Sequence, residues 1–438
     1  MIRRLFFLAC AALAWLSVTT AAAAAETVSV EEAVRRALRD NPGLKAARYE
    51  RAALLARAEL ERPVARPTLR TEATGTLQVP RATFPRGATG DATVIPERYG
   101  KVEAALEQTL YRPGLAAARE RSTAEANVLA MDVERAEADL VRDVRVACLR
   151  LLTAEAMVGV ASDGLDLARR HAKLVEDMLE AGLASERDRK AALADVAEAE
   201  QGRLQAENGA ALARADLARR MGAPSEALIS VAEPGPLPPM PDLQTGIAEA
   251  LQRRVELRSL RERLRSLKAA ASLAGLQDDP VLGARATAAA QSPTAFTRST
   301  YFSVGLVLRW DILDGGKARA DAAEARARVR QLESLLDEAT RGVRLDVEKA
   351  WRDLRDAAAR LEAATRQAEL AQSAHEITEL RYEVRQATQM EVSGSLLALQ
   401  RARANRSQAL YDQHIAAAEY ARATGAPIPT PAPPVRDR

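Results

Sequence analysis

The chain is written twice. Leu183-Ala184-Ser185 stands 203 positions before Gln386-Ala387-Thr388, and Gly222-Ala223-Pro224 stands 203 before Gly425-Ala426-Pro427. Asp143-Val144 precedes Asp346-Val347 by the same distance. Near the start the offset is 213, which matches Ala37-Leu38 and Leu44 to Ala250-Leu251 and Leu257. Leu110 and Ile312 are already only 202 apart, so the length difference accumulates in one loop between two alternating segments. A duplication that changes length in a single loop is one supersecondary design used twice. Each copy pairs strand-like segments with helical patterns far too long for an ordinary globular domain.

The alternation is clean. In Thr68–Val79, Leu69, Thr71, Ala73, Leu77 and Val79 share one face, and Arg70, Glu72, Thr74 and Gln78 the other. A second strand is expected over 99–110 after a loop rich in Pro and Gly. The second copy repeats the pair over 281–290 and 301–310. In the last of these Phe302, Val304, Leu306, Leu308 and Trp310 face one way and Ser303, Gly305 and Arg309 the other. Phe302 and Trp310 lie roughly 26 Å apart along a strand. With barrel tilt that is about 20 Å of height, close to the ~25 Å apolar band between the aromatic girdles of a membrane barrel. A soluble sandwich with one buried face is the alternative, since four strands cannot close a barrel alone.

A turn follows each second strand, Arg112-Pro113-Gly114 or Asp314-Gly315-Gly316, and then a helical pattern without proline until Pro224 or Pro427. From Val329 to Ala371 the apolar positions step by alternating three and four, with one extra four between Val343 and Val347. That is a heptad seam with one stutter. A continuous helix from Gly316 to Glu383 would measure about 100 Å and needs partners along its flank. The pattern breaks near Ala181–Ser185 and again near Val384–Thr388. Ser29-Val30-Glu31-Glu32 reads as a capping box opening an earlier helix to about Glu61, bent at Asn41-Pro42.

Residues 1–25 read as a secretory signal, with Arg3 and Arg4, an apolar run from Leu5 to Leu16, and Ala23-Ala24-Ala25 before the expected cleavage. Cys10 follows Phe7-Leu8-Ala9, a poor match to a lipid-attachment box, and lipidation stays open. Without the two arginines the formal charge falls from +3 to +1, so no cationic field points to nucleic acid. The mature chain keeps one cysteine, Cys148, in a helical apolar pattern, read as a small packing residue. No run of about 20 apolar residues follows the signal. The expected division is therefore signal 1–25, first repeat 26–222, a proline-rich linker 223–241, second repeat 242–425 and a proline-rich disordered tail 426–438.

The order, duplication and spacing of these features resemble the TolC family of outer-membrane efflux proteins over essentially all of 26–425. The Ala37-Leu38…Asn41-Pro42-Gly43-Leu44 opening, the segment Trp310-Asp311-Ile312-Leu313-Asp314-Gly315-Gly316 and the paired helix breaks carry the resemblance. It implies a mainly α fold with a β-barrel portion: a homotrimer in which each protomer lends four strands to one twelve-stranded barrel in outer-membrane lipid. Long antiparallel coiled coils descend into the periplasm. It further implies a periplasmic adaptor and an inner-membrane pump of the RND, ABC or MFS type as partners, for efflux or type I secretion, with no cofactor.

The resemblance also suggests roles residue by residue. Ala181-Gly182-Leu183-Ala184-Ser185 is similar to the family's helix-turn motif that docks the adaptor, although a plain turn glycine explains Gly182 equally. The second tip, Val384-Arg385-Gln386-Ala387-Thr388, departs from it by carrying Arg385 where the family usually has glycine, which implies two unlike tips. Asp188, Tyr382 and Glu391 match positions that constrict the periplasmic entrance. Glu391 would form a ring of three carboxylates favouring cations. Ala387 and Gly394 stand where a gate arginine and a second acidic ring can occur, implying fewer polar gate contacts. Arg70, Glu72 and Arg309 would line the barrel lumen, and Phe302 and Trp310 the membrane girdle.

Catalysis finds no pattern. His171, His375 and His414 have no metal-ligand partner at helical spacing, and the near-correspondence of the first two is as well explained by surface helix positions. No phosphate loop or Ser/His/Asp set is present. A periplasmic coiled-coil adaptor without a pore is the alternative to a duct; it leaves the apolar strand faces unexplained.

Overall fold

In the computed structural model the described residues are 26–61, 67–77, 79, 82–84, 92–95, 97–292 and 298–427. The signal segment, Gln78 and the tail beyond 427 lie outside them. The chain forms two compact units. One holds the chain up to Glu50 with Asp132–Arg258 and Ala339 onward; the other holds Arg51–Met131 and Ser259–Glu338.

In chain order the elements are β1 (Glu26–Val28), α1 (Val30–Asp40), α2 (Pro42–Glu61), β2 (Thr68–Leu77), β3 (Ala82–Phe84), β4 (Ala92–Ile95), β5 (Arg98–Tyr111), α3 (Leu115–Glu180) and α4 (Glu186–Met221). After these come β6 (Ile229–Val231), α5 (Leu243–Arg253), α6 (Val255–Ala274), β7 (Val281–Gln291), β8 (Thr300–Arg309), α7 (Lys317–Glu383) and α8 (Gln389–Thr424). The copies correspond closely: α3 and α7 have 66 and 67 residues, and α4 and α8 have 36 each. None of these helices is long and apolar enough to cross a membrane.

The second unit is built on an antiparallel sheet ordered β2-β5-β7-β8. Its register puts Leu69 opposite Leu106, Ala286 opposite Val304 and Ala288 opposite Phe302, so the apolar positions of all four strands share one face. Leu69, Leu77, Val102, Leu106, Phe302, Val304, Leu306 and Leu308 are all exposed there. A protomer that leaves this many large apolar side chains bare must bury them elsewhere. Arg70, Glu72, Lys101, Glu103, Glu107, Arg285 and Arg309 fall on the opposite face by the same alternation. The long loop of the first copy holds the small antiparallel pair β3–β4.

In the first unit, α1 turns into α2 at Asn41. Its side-chain amide donates to Arg220 O at 2.8 Å while its Oδ1 accepts from Leu44 N at 3.0 Å, and Pro42 takes the first helical position where its missing N–H costs nothing. Gly222 and Gly425 explain the most regular sequence repeat. Each ends a 36-residue helix in the left-handed region, at φ 75° and 71°. Each also lies against the other helix break of its copy: a Cβ on Gly222 would meet Asp40 O at 2.6 Å, and one on Gly425 would meet the Arg253–Arg254 backbone at 3.2 Å. The core gathers Val34, Leu38, Val144, Leu151, Leu217 and Cys148. Cys148 is fully buried and burial pushes its thiol up to about 12, fitting a packing role.

The proline-rich segment 223–241 is more than a linker. Ile229–Val231 forms β6, parallel to β1, with Val28, Ile229 and Val231 all in the core. Arg214 Nε donates to Ile229 O at 3.1 Å. Three residues of alternating burial were too short to stand out among six prolines.

Candidate functional site

Two tight tips join the long helices to the 36-residue ones. At the first, Leu183 N and Ala184 N both donate to Met178 O, and Gly182 turns the chain at φ 70°. Ser185 caps α4: its Oγ accepts from Asp188 N at 3.2 Å, and Asp188 Oδ2 accepts from Ser185 N at 3.1 Å and from its Oγ at 2.7 Å. At the second, Arg385 takes the same left-handed conformation at φ 63°, with Gln386 N donating to Arg381 O at 2.7 Å. Thr388 N and Oγ1 donate to Glu391 Oε2 at 2.6 and 2.9 Å, and Glu391 N donates back to Thr388 Oγ1. The Arg381 guanidinium adds a clamp to Gln386 O at 3.0 Å.

Asp188 and Glu391 thus hold the helix starts beside any role at an entrance. The Thr388 N–H and hydroxyl keep the Glu391 carboxyl below its usual range, so it is ionised at neutral pH. Sequence reading missed both capping boxes, although Ser185-x-x-Asp188 and Thr388-x-x-Glu391 are the standard signature.

Tyr382 is buried with Val175, Ala192 and Val392, one residue from each of the four helices meeting behind the tips. Burial, with the Asp188 charge, raises its phenol. Ala184 and Ala387 pack on this cluster, while Leu183, Val384 and Met390 are exposed at the turns. His171 and His375 are not on the surface: both are buried, with His171 meeting Gln389 of the other hairpin and His375 meeting Ser395 of its own.

In the sheet, Arg70, Glu72 and Arg309 share the charged face. Lys101 pairs with Glu103 and Arg285 with Glu107 on the same side, while Glu72 stands opposite Glu103. Phe302 lies on the apolar face and is exposed; Trp310 is exposed too but falls one residue past the end of β8 at Arg309. No cluster of His, Cys, Asp and Glu among the described residues could hold a metal ion.

This fold is that of solved outer-membrane channels. It resembles the outer-membrane channel OprN (TM-score 0.76, 19% identity, covering 91% of this chain and 90% of the other) and VceC of Vibrio cholerae (0.74, 17%, 90% and 96%). A model of the outer membrane efflux protein family matches residues 33–223 and 246–426, one match per repeat. The chain belongs to the outer membrane efflux protein family, which places it in the outer membrane with its helical part in the periplasm. It is also 30% identical over 236 residues to protein CyaE of Bordetella pertussis, and that match spans about half of either chain.

Proposed function

We propose that the chain is one protomer of a homotrimeric, passive export duct that works in a tripartite efflux or type I secretion system. The observation that carries this reading is the four-stranded sheet, with an exposed apolar face, a charged face and two open edges. Such a sheet is stable in lipid only when closed. Three copies supply twelve strands, enough for a barrel with an aqueous interior. Arg70, Glu72 and Arg309 then keep the lumen wet, and Phe302 and Trp310 face the lipid boundary.

In this reading a periplasmic adaptor, coupled to an RND, ABC or MFS pump, docks at Ala181–Ser185 and Val384–Thr388. Docking shifts the hairpins from closed to open through its differential contacts. Asp188, Tyr382 and Glu391 constrict the entrance, with three Glu391 carboxylates focusing negative potential there.

Single-channel recording from the purified full chain in planar bilayers tests this, wild type beside Glu391→Gln, which removes the charge but keeps an oxygen for the Thr388 cap. A small cation-preferring conductance that loses its preference in the variant is expected. Unchanged selectivity removes Glu391 from the entrance, and a protein that stays soluble without detergent and forms no channels overturns the duct.

A further inference from the structure

The two repeats each bury one histidine behind the tips. His171 on α3 and His375 on α7 are 4% and 3% exposed, and the two are spaced by 204 positions, within one of the repeat offset. Both are bonded to the first two turns of α8. His171 Nε2 lies 2.6 Å from Gln389 Oε1. The Gln389 amide donates to Ser393 Oγ, so its oxygen faces the ring and His171 Nε2 carries the proton. His171 Nδ1 is then a bare acceptor, buried without a hydrogen-bond partner. His375 Nδ1 lies 2.9 Å from Ser395 Oγ, whose proton goes to Val392 O, so His375 donates from Nδ1.

Neutral imidazoles satisfy this arrangement, and imidazolium ions do not. A proton added to His171 Nδ1 creates a charged N–H with no acceptor, against Tyr382, whose ring meets it edge-on at 5.2 Å. The surrounding charges give little relief. Glu376 and Glu379 on α7 favour a charged His375, whereas Arg403 on α8 and a charged His171 oppose it, and burial outweighs them all, lowering its pKa. On α4, Asp188 acts on Tyr382, and Asp195 is taken up by the Ser393 hydroxyl.

We propose that His171 and His375 form a proton-sensitive latch that holds the start of α8 against α3 and α7 and releases it in acid. The sign follows from linkage. Burial lowers the pKa of His375, so around it the latched state binds fewer protons than a released one in which the ring meets water; its hold is complete above the ordinary histidine pKa of about 6.5 and weakens as pH falls below it. In a trimer six such rings would act together. That this release opens a conducting entrance rests on the duct reading; the latch itself belongs to one protomer.

The test is hydrogen exchange on the full chain in detergent at pH 7.5 and 5.5, corrected for intrinsic rates, with currents recorded at both. Protection of peptides around residues 171–180 and 389–403 is expected to fall severalfold in acid, with the β7 and β8 strands unaffected. His171→Phe combined with His375→Phe should abolish the pH response. If that pair does not assemble, His171→Gln with His375→Gln serves, since glutamine offers hydrogen bonds without titrating. Equal protection at both pH values, or the same loss in the double variant, overturns the latch. Pore currents without pH-dependent protection defeat the latch alone; pH-dependent protection without currents defeats the duct alone.

Discussion

At the scale of single residues, backbone conformation and charge burial decide more than residue type suggests. Gly182 and Arg385 hold the same left-handed conformation, which is free for glycine and strained for arginine. Arg385→Gly should therefore stabilise the second tip by about 0.5–1 kcal/mol, read as increased exchange protection in α8, and Gly182→Arg should cost the first tip a similar amount. Glu256 gives a prediction in pH. Burial raises its carboxyl, but its bond to the Arg422 guanidinium at 2.7 Å, with Arg254 beside it, holds it at about 2. Its contribution is full above the ordinary carboxylate pKa near 4.5 and is lost as pH falls from there toward 2. Glu256→Gln should cost about 2 kcal/mol at neutral pH, and its thermal midpoint should lose less than the wild type's between pH 5 and 3.

At the scale of elements, the molecule depends on how helices start and stop. The capping boxes at Ser185 and Thr388 each satisfy two donors at a tip. Ser185→Ala or Thr388→Ala should cost about 1 kcal/mol, seen as faster amide exchange confined to the first turn of α4 or α8. A loss spread over the whole helix would mean the cap is not the local stop described. The long helices were legible in the seam from Val329 to Ala371, because a three-four periodicity sustained over many turns has no other explanation. The capping boxes are legible too, in Ser185-x-x-Asp188 and Thr388-x-x-Glu391, whose carboxylates are the ones the family resemblance assigns to the entrance. β6 was not legible: its partner β1 lies some two hundred residues away, and three residues carry no period.

At the scale of the whole molecule, the exposed apolar face of the sheet demands a lipid environment and further copies. Leu306 lies mid-strand on that face and is 71% exposed in the protomer. Leu306→Lys should destabilise the inserted form by roughly 2–4 kcal/mol per protomer, while Ser303→Lys, one face away, should be tolerated. Comparing heat-resistant oligomer in the membrane fraction separates the two. Equal loss in both variants would mean the sheet faces are not divided between lipid and lumen.

The sequence by itself determined the duplication, the four main strands with their sidedness, the long helices and the two tips. All of these are periodic or repeated, so local physics carries them. The strand order β2-β5-β7-β8, the β1–β6 bridge and the burial of His171 and His375 were decided only by tertiary structure. The strand order and the bridge join segments far apart in the chain, and a histidine on a helix looks the same in sequence whether it meets water or another helix.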